Sequence, residues 1–389
     1  MRVTYLMRCL AMMRGGGETQ HLAWMRALAT MGVDVDIITG RPLLKAPLYS
    51  VGDLREKVLR SPYTRDLVYR VQGRRIVGRL GSMALHADEE LFCRMAWAEI
   101  SRRSTPPDLV LAHALHQAAR VRTADVPVAI YLPGPPHPRY RGDLQRADAL
   151  ISDGWAAKHL PEVLGRPVDD VIKGVDHTLF RPDGSNLRRA HALDGKQVVL
   201  CVARLVPIKN LALLIDAIAD VRRRRPDLIL VLVGEGPQRA ALTDRARQAG
   251  IADAVRFVGY VAQEDTPAWY RTADLFALPS EFDNSPNVVL EAMASGLPVV
   301  ATDVGGLRDY ILQPRNGLLV EKGSRGALAD ALETYLANPS IAAATGRQNR
   351  ADAVEKFSWQ VSAARMLAVF ERVVAAHRAA GARLVPSPA

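Results

Sequence analysis

Short apolar runs alternate with amphipathic stretches along most of the chain. Near-continuous apolar runs are typical of strands in a sheet that is covered on both faces. Such runs predict strands at 2–6, 33–39, 108–113, 126–132, 197–203, 228–234, 255–259, 274–280, 297–303 and 316–320. Apolar residues at helical spacing predict helices at 19–32, 211–225, 238–250 and 287–296. Strands that alternate with helices indicate parallel sheets.

Two apolar stripes predict helices, and one polar stretch predicts a boundary between two domains. The stripes are Leu22, Met25 and Leu28 in the first helix, and Ala363, Leu367, Phe370 and Val374 near the C-terminus. The turn-rich stretch 177–189 separates two strand–helix series. Because 389 residues exceed one ordinary core, we expect an α/β fold of two doubly wound, Rossmann-like domains. Ligands would bind at the carboxyl ends of their strands, in a cleft between two facing sheets.

The composition is that of a globular protein, with 49% apolar and 24% charged residues. Charges interrupt every apolar run before the ~20 residues that a membrane-spanning helix needs. Arg8 and Arg14 break the first apolar run, so no signal peptide is predicted. Cys9, Cys93 and Cys201 are sparse, which favours reduced thiols in a cytoplasm over disulfides or a zinc cluster.

The net charge of +10 suits an anionic partner. Basic residues concentrate in the region 54–79, which is either a solvated helical face or a surface for peripheral contact with anionic membrane. No finger, KH or RRM signature is present, so a nucleic-acid partner is not expected.

Glycines follow the first predicted strand. Gly15, Gly16 and Gly17 would let a ligand approach the backbone, and the next helix would present free N–H groups to an anion. A tight turn needs glycine as well, so both interpretations stay open. The spacing G-x-G-x-x-G is absent here and at Gly234, which disfavours a nicotinamide dehydrogenase.

Cations and histidines follow other strands. Arg204 and Lys209 come after the strand that ends near Ala203, where they suit a phosphate clamp or are ordinary surface cations. His113 ends a strand of the first domain and His116 follows it. Each histidine is either structural or part of a site.

A polar turn leads into the helix at 287–296. Ser285 is the predicted N-cap and Pro286 the first helical residue. The N–H groups of Asn287 and Val288 would then face an anion.

Two acids lie in the same segment. Asp283 precedes the helix, and Glu291 lies within it between apolar neighbours. A carboxylate there needs hydrogen bonds, which ribose hydroxyls, backbone groups or a surface cation could supply. One acid can therefore face a sugar while the other faces a nucleoside.

Together these segments resemble the motifs of GT-B glycosyltransferases of family GT4, which are retaining and nucleotide-sugar dependent. "GVDHTLFRP" resembles the linker G-V-D-x-x-x-F-x-P, "ARLVPIKN" resembles G-R-L-x-x-x-K-G, and "GEGP" matches G-x-G-P. "DNSPNVVLEAMASGLPVVATDVGG" matches the E-x7-E motif and the strand and glycine turn after it, with Asp283 in place of the first glutamate. Glu281 lies nearby, at a spacing from Glu291 that does not fit the motif.

The resemblance implies roles on the donor side. Arg204 and Lys209 would bind the donor diphosphate, and Glu291 would hold the ribose hydroxyls. Asp283 would contact the transferred sugar or stabilise its developing positive charge. Gly305 and Gly306 would line the same cleft.

The resemblance also covers the first domain. Gly15 and Gly16 match the loop that touches the phosphate and the acceptor, and His113 matches a histidine near the sugar hydroxyls. The implied organisation is an acceptor-side domain at 1–178, a nucleotide-sugar domain at 179–357, and a helix at 358–389 that crosses back to the first domain.

The implied reaction is transfer of a sugar, with retention, from a nucleoside diphosphate sugar to an acceptor hydroxyl of unknown identity. A UDP-sugar is favoured over a GDP-sugar, and no separate cofactor is expected. No Asp-x-Asp metal site is evident, so Arg204 and Lys209 would replace a divalent metal. The expected location is the cytoplasm or the inner face of a membrane. The alternatives are an epimerase or hydrolase of the same fold, and a non-catalytic protein that binds a sugar nucleotide.

Overall fold

The computed structural model describes residues 1–12, 16–41, 47–48, 50–60 and 75–383. The chain forms two compact units. The first unit combines Met1–Ile172 with Ser362–Ala389, and the second unit is Lys173–Val361.

The first unit is built on a parallel seven-stranded sheet with the order β3-β2-β1-β4-β5-β6-β7. The strands are β1 Arg2–Met7, β2 Asp34–Arg41, β3 Arg55–Arg60, β4 Leu109–His113, β5 Val128–Tyr131, β6 Ala149–Ser152 and β7 Asp169–Asp170. The helices are α1 Gly16–Thr30, α2 Arg75–Ser101, α3 Arg141–Leu144 and α4 Gly154–Leu164. The chain order reverses between β1 and β4, which makes this the switch point of the sheet.

The second unit has a parallel six-stranded sheet with the order β10-β9-β8-β11-β12-β13. Its strands are β8 Gln197–Val202, β9 Leu228–Val233, β10 Val255–Gly259, β11 Leu275–Leu278, β12 Val299–Thr302 and β13 Leu318–Val320. The helices are α5 Leu211–Arg222, α6 Arg239–Gln248, α7 Thr266–Thr272, α8 Asn287–Ala294, α9 Arg325–Ala337 and α10 Pro339–Lys356. The last helix, α11 Trp359–Arg383, is divided between the two units. The switch point lies between β8 and β11.

The predicted α/β class, with two doubly wound parallel sheets, is confirmed. Each predicted strand has its counterpart, because buried parallel strands show as apolar runs. The sequence patterns did not predict helices α2, α3, α4, α7, α9 and α10 or strands β3, β6 and β7, and two of these helices show why. Helix α4 contains Pro161 in its interior. Helix α10 buries mainly polar or small residues, among them Asn349 and Asp352, so it has no apolar stripe.

Part of the basic region differs from one of the two predicted alternatives, the solvated helical face. Its residues Arg55–Arg60 form the edge strand β3 and are not a helical face. Charged side chains suit an edge strand, because they discourage pairing with another chain. Glu56 forms an ion pair of 2.6 Å with Arg41 of the neighbouring strand. Residues 61–74 lie outside the described part of the chain, so membrane contact by this region stays a prediction.

Helix α11 begins in the second unit, and its residues from Ser362 onward belong to the first. Trp24 donates through Nε1 to Ser362 Oγ at 2.6 Å, and this hydroxyl bonds the carbonyl of Ile172. The predicted stripe is buried at Ala363, Phe370 and Val374, and Leu367 is only partly buried.

Two further expectations concern thiols and membranes. Cys9, Cys93 and Cys201 are free and buried. Burial raises the pKa of Cys93 well above its usual value and that of Cys201 to about 12. Among the described residues, no helix is both long and apolar enough to cross a bilayer.

Neighbouring residues of α11 allow a matched test of this packing. Met366 is fully buried, whereas the next residue, Leu367, is partly exposed. We expect Met366→Ala to cost about 2–5 kcal/mol of unfolding free energy, because it leaves a cavity in a packed core. Leu367→Ala should cost clearly less. Urea unfolding of both variants measures the difference, and equal losses would contradict the burial of this face.

Candidate active site

The predicted donor-side residues gather at the switch point of the second unit. The loop after β8 carries Arg204 and Lys209, and the loop after β11 carries Asp283. These strands are neighbours, so both loops leave the same edge of the sheet. Glu291 follows on α8. In open α/β sheets this is the position at which ligands bind.

Lys209 and Asp283 form an ion pair. The distance from Lys209 Nζ to Asp283 Oδ1 is 2.6 Å, and each side chain is 14% exposed. Asp283 Oδ2 is buried and has no hydrogen-bond partner within the described part of the chain. The ammonium group has three N–H donors, so it can bind a further anion while it holds Asp283.

Glycines hold the backbone of the loop that carries Lys209. Gly234 has φ +131°, and a Cβ placed there would lie 2.0 Å from the carbonyl oxygen of Ala203. A Cβ at Gly236 would lie 2.3 Å from that of Leu205. The N–H of Leu205 donates to the carbonyl of Glu235 at 2.9 Å. The "GEGP" turn therefore packs directly against the loop after β8, which only glycine permits.

A second glycine supports Asp283. Gly305 has φ +56°, and a Cβ there would lie 1.7 Å from the carbonyl oxygen of Asp283. The N–H of Gly306 donates to the same carbonyl at 3.0 Å. The "DVGG" segment thus fixes the backbone from which the Asp283 carboxylate projects.

Glu281 makes different contacts from Asp283. Its carboxylate accepts a hydrogen bond from Asn210 Nδ2 and lies 3.5 Å from Lys322 Nζ. Its N–H donates to the carbonyl of Ile208 at 2.8 Å. Glu281 therefore ties the β11 loop to the residues on either side of Lys209.

Glu291 is bonded to a tyrosine that the sequence did not single out. Tyr270 on α7 is fully buried and donates its hydroxyl to Glu291 Oε2 at 2.7 Å. Burial raises the pKa of Glu291 to about 7, although the bond from Tyr270 acts in the opposite direction. Burial and the nearby Glu291 also raise the pKa of Tyr270, so its hydroxyl stays a donor.

The start of α8 differs from the prediction by one residue. Pro286 is the N-cap and Asn287 the first helical residue, with no side-chain cap. Ser285 does not cap because its hydroxyl bonds that of Tyr310. Asn287 Oδ1 is buried and has no hydrogen-bond partner among the described residues, and the carbonyl of Val288 accepts a bond from Tyr270.

Arg204 lies on the surface of this unit. Its side chain is exposed and makes no hydrogen bond or ion pair across the ranges that the structure describes. The guanidinium is therefore available to an anion that enters from solvent.

In the first unit, His113 ends β4 and lies among aromatic rings. Its ring centroid is 4.2 Å from that of His21 and 5.6 Å from that of Tyr131, which it stacks on. Gly16 was predicted in the loop before α1 but is the first residue of that helix, whereas Gly15 lies outside the described residues.

His113 also lines a cavity of about 530 Å³ in the first unit. The wall comes from segments that follow β1, β4 and β5, with additions from α1 and α2. Its polar side chains include Arg8, Glu18, Glu89, His116, His137 and Tyr140. Only His113 and His116 were candidates from sequence. Glu89 and Tyr140 lie in segments without a motif, so no local signal marked them.

Among the described residues, no cluster of histidine, cysteine and carboxylate side chains could hold a metal ion. Metal-independent action therefore remains a prediction for experiment.

Two doubly wound units, each with polar residues at its switch point, define a GT-B architecture. Sucrose-phosphate synthase from Thermosynechococcus elongatus superimposes with a TM-score of 0.76 at 21% identity, over 96% of this chain and 99% of that one. At this identity the likeness shows the fold alone.

Sequence comparison gives the family. The profile described as glycosyl transferases group 1 matches residues 184–352. D-inositol 3-phosphate glycosyltransferase from Jonesia denitrificans is 30% identical over 397 residues, which cover 92% of this chain and 91% of that protein. The chain therefore belongs to the glycosyl transferases group 1 family.

A second relative matches over a shorter length. The GDP-mannose-dependent alpha-(1-6)-phosphatidylinositol monomannoside mannosyltransferase from Mycolicibacterium smegmatis is 36% identical over 203 residues. This match covers 50% of this chain, and the chain spans about half (53%) of the relative's length.

The contact at Gly305 predicts a position-specific loss of stability. Gly305→Ala should cost about 1–2 kcal/mol for its left-handed backbone, and a further ~1–3 kcal/mol because Cβ displaces Asp283. Gly323 is the matched control, since it has φ +77° and open space around a Cβ. In urea unfolding, Gly323→Ala should show only the loss that comes from the left-handed backbone. Equal losses would contradict the packing of Gly305 on Asp283.

The raised pKa of Glu291 predicts how stability depends on pH. Between about pH 4.5 and 7 the native carboxyl holds a proton that the unfolded one has lost. Stability relative to Glu291→Gln should therefore fall as pH rises, by up to about 3 kcal/mol. Urea unfolding of both proteins from pH 4.5 to 8 measures this difference. A difference that stays constant with pH would show that burial does not raise this pKa.

Proposed function

We propose that the protein transfers a sugar, with retention, from a nucleoside diphosphate sugar to an acceptor hydroxyl. The observation that carries the proposal is the Lys209–Asp283 pair at the switch point of the second unit, in a chain of a glycosyltransferase family. A cation and a carboxylate are the two charges that such a reaction needs.

The cations act on the leaving group. Departure of a nucleoside diphosphate develops negative charge on its phosphate oxygens. Lys209 lies in a largely buried position where its charge is weakly screened, and exposed Arg204 can add a bidentate contact. Both N–H groups at the start of α8, those of Asn287 and Val288, add partial positive charge.

The carboxylates act on the two sugars of the donor. Asp283 contacts a hydroxyl of the transferred sugar or stabilises the positive charge that develops at the anomeric carbon, and its Oδ2 has no hydrogen-bond partner among the described residues. Glu291 accepts the ribose hydroxyls, which add hydrogen bonds to its partly buried carboxylate beside the one from Tyr270. A role for His113 beside the hydroxyls of the transferred sugar stays a prediction.

The donor base and the acceptor require direct assay. The preference for UDP over GDP stays a prediction, and the name of the M. smegmatis relative specifies GDP-mannose. The names of the relatives specify acceptors built on inositol, so inositol and its derivatives belong in the acceptor panel.

The test is incubation of the full chain with UDP-glucose, UDP-galactose, UDP-N-acetylglucosamine and GDP-mannose, each with and without the acceptor panel and with EDTA present. Mass spectrometry of the products should show a sugar transferred to an acceptor. Epimer formation or hydrolysis at full rate without acceptor would establish the alternative enzyme. Nucleotide binding that raises the melting temperature without any turnover would establish a non-catalytic protein.

The different contacts of Asp283 and Glu281 predict different kinetic losses. Asp283→Asn removes a charge that acts on the transition state, so kcat should fall by roughly 10²–10³ with little change in donor KM. Glu281→Gln keeps an acceptor for Asn210 and should cost less than about tenfold, since it acts only through the loop. Steady-state kinetics with the best donor measures both. If Asp283→Asn kept wild-type kcat while Glu281→Gln lost most of it, the roles proposed for the two acids would be exchanged.

The exposed position of Arg204 predicts that its replacement lowers turnover without unfolding the protein. Its exposed side chain holds no other element in place across the described residues, so Arg204→Ala should leave the melting temperature unchanged. We expect kcat to fall by roughly 10²–10³, as for removal of one transition-state donor. Arg223→Ala, at a side chain that is 77% exposed, is the control and should be silent. Near wild-type turnover of Arg204→Ala would remove Arg204 from the mechanism.

A further inference from the structure

The cavity of the first unit lies at the switch point of its own sheet. Arg8 follows β1, and His113 to His116 follow the neighbouring strand β4. Open parallel sheets bind ligands at this position. A volume of about 530 Å³ is within the range of small-molecule sites. The position and size of the cavity therefore indicate a ligand site.

The described wall of the cavity is acidic, although the chain as a whole carries +10. Glu18 and Glu89 line it, and Asp88, the residue before Glu89, is buried. The only lysine or arginine among the described lining residues is Arg8. Arg8 is already directed inward, at 3.5 Å from Asp88 and 3.2 Å from the carbonyl of Leu85. Among the described lining residues, carboxylates therefore outnumber lysine and arginine side chains.

Glu89 is a rigid acceptor in this wall. The residue is 5% exposed, and its Oε1 accepts the N–H of His116 at 2.7 Å. Its Oε2 lies 3.4 Å from the hydroxyl of Tyr140. A carboxylate has about four lone-pair sites, so capacity remains for hydroxyl donors from a ligand.

Aromatic rings stand beside this carboxylate. The ring of His116 stacks on Tyr140, with centroids 4.2 Å apart and planes at 14°. Both residues line the cavity. A wall that joins flat apolar surface to a hydrogen-bond acceptor suits a molecule with C–H faces and many hydroxyls.

We propose that this cavity binds the acceptor and selects a neutral polyhydroxylated molecule, such as a sugar or a cyclitol, over its phosphorylated form. The proposal rests on the proposed function and adds the class of acceptor. Two like charges about 5 Å apart in a partly buried site disfavour each other by a factor on the order of 100. Glu89 supplies such a charge, whereas the hydroxyls of a neutral ligand can donate to it.

The test compares matched acceptors in pairs. The pairs are myo-inositol with inositol 3-phosphate and methyl mannoside with mannose 6-phosphate, assayed with the donor that the protein turns over. The wild type should favour the neutral member of a pair. Glu89→Gln keeps an acceptor for His116 but removes the charge, so it should shift the ratio toward the phosphorylated member at least about tenfold.

Glu90→Gln is the matched control. Glu90 lies on the same helix, bonds Arg94 and Arg120, and does not line the cavity. It should leave the ratio unchanged. Melting temperatures with and without nucleotide should show that both variants keep their fold and their donor site.

Each failure has its own meaning. Wild-type preference for the phosphorylated members, or an unchanged ratio in Glu89→Gln, would overturn the proposal for the acceptor. Transfer to no member of the pairs, while the donor is still consumed, would overturn it too. Absence of any donor binding or turnover would instead overturn the proposed function itself.

Discussion

The ion pair of Lys209 and Asp283 is the contact on which the arrangement of the second unit's site depends. Both side chains are largely withdrawn from solvent, so each charge needs the other to offset its desolvation. The partners come from different loops, after β8 and β11, and the pair therefore fixes the separation of those loops. Loss of either partner would leave a poorly solvated charge.

Backbone contacts make this pair possible. Gly234 and Gly236 hold the loop that leads to Lys209, and Gly305 holds the backbone of Asp283. At each of these positions a Cβ would lie within 2.3 Å of a carbonyl oxygen, which is too close for both atoms to stay in place. The glycines of the motifs thus serve close packing between loops, and Glu281 adds a side-chain tie through Asn210. The charged groups can then meet a ligand without first being ordered, which lowers the cost of binding.

Local charge in this protein differs from its total charge. The chain carries +10, yet many arginines are already paired, such as Arg325 with Asp220 and Arg245 with Asp216. The described wall of the cavity in the first unit has more carboxylates than cations. The electrostatics of each site therefore follow from which side chains meet there, and the sum over the chain does not indicate the charge of a ligand.

The sequence by itself determined the fold class and named the residues that gather at the switch point of the second unit. Buried parallel strands appear as apolar runs, and motif residues lie at fixed short distances from strand ends, so Lys209, Asp283 and Glu291 could be named in advance. The tertiary structure alone decided which of them touch, because pairing depends on strand order and β8 meets β11 across a crossover. It also supplied Tyr270 and Glu89, whose neighbours are distant in sequence. Their environment comes from packing between elements, which no local pattern of residues encodes.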